Sequence, residues 1–147
     1  MLKEKLTQDI KTALLAGEKP KAEVLKALKS AILYEEVAQK VRDQGLTDEQ
    51  IQTVLAREAK KRAESAELYK KAGADDRATT ELQEKEIIEA YLPKQLSEDE
   101  LQKIVDEVLA ANPGVQMGPA IGMVRAKTGT AADGSRIAAL VKTKLQG

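Results

Sequence analysis

Hydrophobic positions recur every three to four residues along almost the whole chain, the period of an amphipathic α-helix. Leu2, Leu6, Ile10, Ala13 and Leu14 share one face of a helix predicted from about Leu2 to Ala16, and Gly17 is placed to end it. Pro20 suits a first helical turn and opens a second helix, on which Val24, Leu25, Leu28, Ala31 and Ile32 keep the period until Gly45 stops it. Thr47 and Gln50 form a capping box for a third helix, which carries Ile51, Val54, Leu55, Ala59, Ala66 and Tyr69 and closes at Gly73. A fourth spans about Arg77 to Tyr91, where Pro93 disfavours helical backbone in the residue before it.

A second capping box, Ser97 with Glu100, starts a fifth helix that uses Leu101, Ile104, Val105, Val108 and Leu109 and breaks at Asn112-Pro113-Gly114. The sixth runs from about Gln116 to Lys127 with Met117, Ala120, Ile121 and Val124 inward. The seventh begins near Asp133 with Ile137, Leu140, Val141 and Leu145 inward. The pattern predicts an all-α fold of about seven helices. Its natural boundary is the proline-broken segment Leu92 to Leu96, which separates a four-helix N-terminal part, residues 1–92, from a three-helix C-terminal part, residues 93–147.

Composition supports the fold class: alanine and leucine dominate, and aromatic residues, which favour strands, number only Tyr34, Tyr69 and Tyr91. It also removes whole classes of chemistry. With no Cys and no His, thiolate nucleophiles, imidazole bases and zinc sites with nitrogen or sulfur ligands are excluded. No Ser-x-x-Lys pair and no phosphate-binding loop occur, so the residues predict no catalytic site, no cofactor and no metal. The absence of Cys, and a start that enters an amphipathic pattern without an apolar signal core, predict a cytoplasmic protein with no membrane span.

Net charge is zero but unevenly spread: from Met117 to Gly147 there are five bases and one acid, Asp133. Two basic clusters invite a phosphate backbone. In the third helix Lys60-Lys61-Arg62 follows Arg57, but Glu58, Glu64 and Glu67 are interleaved at helical spacing, which favours a solvated face laced with ion pairs. In the turn before the last helix Arg125, Lys127, Gly134, Ser135 and Arg136 fall close in sequence to the free N–H groups of a helix start, a combination suited to an anion. These five are the candidate nucleic-acid-binding residues.

Ala59-Lys60-Lys61-Arg62-Ala63-Glu64-Ser65-Ala66-Glu67-Leu68-Tyr69, Ala90-Tyr91-Leu92-Pro93-Lys94-Gln95-Leu96-Ser97, Met117-Gly118-Pro119-Ala120-Ile121-Gly122 and Ala132-Asp133-Gly134 resemble, in order, segments of the small stand-alone proteins of the GatB/YqeY family. The resemblance covers nearly the whole chain. It implies a three-helix C-terminal part like the tail of the GatB polypeptide of the glutamine-dependent aminoacyl-tRNA amidotransferase, a tail that contacts tRNA. It therefore implies a non-catalytic helical module whose partners are tRNA, an aminoacyl-tRNA amidotransferase or a synthetase. Two alternatives remain open: an accessory subunit in carbon–nitrogen ligation with glutamine as amido-nitrogen donor, and a protein–protein interaction scaffold built on the N-terminal helices. The family pattern usually has a lysine after the Met-Gly pair, where this chain has Pro119. Proline removes a cation and a backbone donor there, leaving Arg125, Lys127 and Arg136 to carry any phosphate contact.

Overall fold

The computed structural model describes all 147 residues and contains seven α-helices, one short 3₁₀ turn and no strand. The helices are α1 (Leu2–Leu15), α2 (Lys19–Ala38), α3 (Asp48–Lys71), α4 (Asp75–Glu89), α5 (Glu98–Ala111), α6 (Met117–Thr128) and α7 (Gly134–Gln146), with the 3₁₀ turn at Gly129–Ala131. None is long and apolar enough to cross a membrane. The fold is all-α, and the chain divides into two compact units, Met1–Leu92 and Pro93–Gly147.

Local chemistry explains several helix ends. Thr47 and Ser97 each accept the N–H three residues on while Gln50 and Glu100 return a side-chain oxygen to the cap's own N–H, so both capping boxes are complete. At the ends of α1 and α3, Gly17 and Gly73 take left-handed backbone, and the next residue's N–H reaches back to Ala13 and Tyr69. The end of α2 departs from expectation. Gly45 does not stop it; the helix closes seven residues earlier, at Ala38, because Lys40 adopts φ 59° and the N–H groups of Lys40 and Val41 turn back to Val37 and Glu36. This is the same closing motif built on a lysine, a residue that enters the left-handed region at a cost of about 1–2 kcal/mol.

In the first unit α3 packs along α4, and α2 touches α1, α3 and α4. Leu6, Leu25, Leu28, Ile32, Ile51, Leu55 and Ile88 are wholly buried where these helices meet. Each such side chain contributes roughly 1.5–3 kcal/mol by leaving water. The second unit buries Leu101, Val105 and Val108 of α5, Ala120 and Val124 of α6, Ala132, and Ile137 and Val141 of α7. Three expected core positions lie at the margins: Leu14, Met117 and Leu145 are 48%, 39% and 42% exposed. All three occupy terminal turns of their helices, where the partner helix no longer covers the face.

Candidate nucleic-acid interface

The second unit carries the candidate anion site, and its geometry follows from how α6 gives way to α7. Gly129 ends α6 with φ 55° and ψ −128°, a conformation open only to glycine, and the 3₁₀ turn Gly129–Ala131 follows. The chain then extends through Ala132 and Asp133, and Asp133 caps α7 by accepting the Ser135 N–H at 3.1 Å.

The five predicted residues do not converge equally. Arg125 lies in the last turn of α6 and Gly134 in the first of α7, and a Cβ placed on Gly134 would stand 3.5 Å from Arg125 Nη1. The guanidinium thus lies over the bare start of α7, and the side chain as a whole stays exposed. Lys127 is exposed too, but two residues along a helix is a rotation of about 200°, so it occupies the opposite flank of α6. Sequence adjacency suggested a joint cluster that the helical wheel separates. Ser135 offers no free backbone donor, because its N–H is taken by Asp133, whose own charge sits at the helix start.

Arg136 is half-buried and already engaged. Its Nη2 donates to the Leu96 carbonyl at 2.9 Å and approaches Glu98 Oε2 at 3.4 Å. The segment before α5 is bound to the turn in further ways: the Leu96 N–H donates to the Ala131 carbonyl at 2.8 Å, and Gln95 Nε2 donates to the Thr130 carbonyl at 2.9 Å. Ser97 donates its N–H to the Glu100 carboxylate, which holds that carboxyl below the ordinary range for a glutamate. Sequence reading missed Gln95, Leu96 and Glu98 as parts of this site. The cap could have been read from Asp133-Gly134-Ser135, but the docking of residues 95–98 on a turn more than 30 positions away left no local signal.

The other surfaces are less suited to phosphate. On α3, Arg57 pairs with Glu35 at 3.4 Å, Lys61 with Glu58 at 3.4 Å, and Arg62 bridges Glu58 at 2.7 Å and Glu84 at 3.4 Å. A shallow groove on α5 is lined by Asp99, Gln102, Lys103, Asp106, Glu107 and Ala110, a predominantly acidic wall. Around Arg125, by contrast, α6 presents Gly118, Gly122 and Ala126, all exposed, and a Cβ at either glycine would meet nothing within 4 Å. Pro119 is exposed beside them in the first turn, where a backbone N–H has no helical acceptor to lose. The arrangement is an exposed cation beside a helix face with almost no side chains, over which another backbone can approach closely.

The family model for YqeY-like proteins matches residues 3–145. The chain belongs to the YqeY-like family. That span takes in both helical units of this YqeY-like chain. No curated protein matches it.

Proposed function

We propose that this YqeY-like protein is a non-catalytic helical module that binds tRNA through the α6–α7 region of its second unit. The observation that carries the reading is the placement of Arg125 against Gly134 on a glycine-lined, exposed face, in the part of the chain with the largest excess of bases. A guanidinium there can reach a phosphate while its backbone passes close to Gly118 and Gly122, and the positive end of α7 adds to the attraction despite the Asp133 cap. The likeness to the tail of the amidotransferase GatB polypeptide supports tRNA over other nucleic acids. A role as accessory subunit in glutamine-dependent amidation would follow from such binding, with the chemistry supplied by the partner enzyme.

The test is binding of labelled, unfractionated cytosolic tRNA across a salt series. Arg125→Ala should weaken binding and reduce the slope of log affinity on log salt by about 0.7–0.9 for each phosphate no longer neutralised. Lys61→Ala, whose ammonium is paired with Glu58, should change neither quantity appreciably. Equal affinity and slope for wild type and Arg125→Ala would remove the basis of the reading. The scaffold reading retains one observation in its favour: on α2, Leu33, Tyr34 and Val37 are 44%, 77% and 55% exposed on one side of the helix.

A further inference from the structure

Thr128 and Thr130 flank Gly129, and the hydroxyl oxygens of both are buried without any hydrogen-bond partner. Thr128 is only 8% exposed. A buried hydroxyl without a partner costs about 1–3 kcal/mol, so two within three residues mark a place where the closed structure is not at its best. The same turn and the start of α7 are held to the segment before α5: Gln95 donates to the Thr130 carbonyl, the Leu96 N–H to the Ala131 carbonyl, and Arg136 to both the Leu96 carbonyl and Glu98. The same segment therefore binds the turn that carries two unused donors and occupies the cation that the sequence pattern assigns to phosphate.

We propose that residues 93–98 form a strap over the α6–α7 turn, and that Thr128 and Thr130 are further phosphate-binding residues, reached when the strap lifts. The inference rests on the reading of this turn as an RNA site. A phosphodiester entering the turn takes Arg136 from Glu98 and accepts the two hydroxyls, giving each group that is unpaired or weakly paired in the free protein a charged acceptor. The flanking Gly129 has nothing within 4 Å of the position a Cβ would fill, so the turn has room to accept a backbone at its centre.

Valine has the shape of threonine without the hydroxyl, which separates the two consequences. In the full chain, Thr128→Val with Thr130→Val should raise Tm by about 5 °C, because groups that cost stability in the free protein are removed. The same variant should bind unfractionated tRNA about tenfold more weakly with an unchanged salt slope, because the missing donors are neutral. Glu98→Gln should tighten binding about threefold by freeing Arg136, and that gain should vanish when Arg136→Ala is added. Amide hydrogen exchange at Leu96 should quicken on tRNA binding as its bond to Ala131 opens. A valine variant that binds as wild type does, a fall in its Tm, or a Leu96 amide that stays protected in the complex would each overturn the strap and leave the RNA reading intact. Absence of tRNA binding by the wild-type chain would overturn both.

Discussion

Glu36 is the one buried charged side chain, and its removal has a calculable effect. Its side chain is wholly buried at the end of α2, with both carboxylate oxygens within 2.8 and 3.0 Å of Lys3 Nζ and Oε2 accepting the Leu46 N–H at 3.0 Å. The Lys3 bond, above all, holds its carboxyl below the ordinary glutamate range against the opposing effect of burial, with the Leu46 N–H adding to the stabilisation. Gly45 serves this group: a Cβ there would stand 3.1 Å from Glu36 Oε2, and its φ of 77° favours glycine. Glu36→Ala leaves the Leu46 N–H buried without an acceptor, costing about 1–3 kcal/mol, and adds the loss of the ion pair and a cavity. Lys3 keeps 43% of its side chain exposed, so its charge returns to water easily and the ion-pair share is modest. The expected total is about 3–4 kcal/mol, a large fraction of the 5–15 kcal/mol typical of a domain.

The assay is urea unfolding followed by circular dichroism at pH 7 and at pH 4, with Lys3→Ala as the partner variant. A folded pKa below the unfolded one gives stability that is complete above about pH 4.3, the ordinary glutamate value, and is lost as the pH falls through the folded value. Wild type should therefore begin to lose this contribution at pH 4. Lys3→Ala strips the buried carboxylate of its main partner, so desolvation dominates and raises its folded pKa, reversing the sign: relative to wild type it should be least stable at pH 7 and recover at pH 4. A Glu36→Ala cost under about 1 kcal/mol, or a Lys3→Ala deficit that does not shrink on acidification, would refute the reasoning.

Tyr91→Phe should cost about 1–2 kcal/mol, because the phenol is nearly buried and donates to Asp9, while Lys5 lies 4.9 Å from the ring centroid and 3.5 Å from Asp9. Burial and then Asp9 push that phenol above its ordinary value, so the same variant should remove the latest-ionising tyrosine from an alkaline absorbance titration; an unchanged late step would contradict this. Ser97→Ala breaks the capping box of α5 and should destabilise the second unit by about 1 kcal/mol in thermal unfolding, with restoration by Ser97→Asp.

The helices themselves were legible in the sequence because the signals that make them are local. The period of apolar residues, the pairs Thr47–Gln50 and Ser97–Glu100, and Gly17 and Gly73 act within a few positions, and each appears in the structure at or next to its expected place. Composition likewise set the fold class, and the ordered segments from Ala59 to Gly134 pointed to the family that matches residues 3–145. Sequence alone misread the end of α2 and the role of Gly45. α2 ends at Ala38 because a lysine takes left-handed backbone, and Gly45 is needed for a carboxylate nine positions away.

The candidate site divides in the same manner. Sequence located the turn and its bases, but a linear count of charges carries no direction, and it grouped Arg125 with Lys127 although the helix turns them apart. Only tertiary structure placed Arg125 over Gly134, tied Arg136 to Leu96 and Glu98, and enclosed the hydroxyls of Thr128 and Thr130. Helix formation depends on interactions between residues about four apart, which sequence displays directly. Which side chains meet across 35 or 40 positions depends on how the helices pack, and that is settled by the burial of their apolar faces all at once.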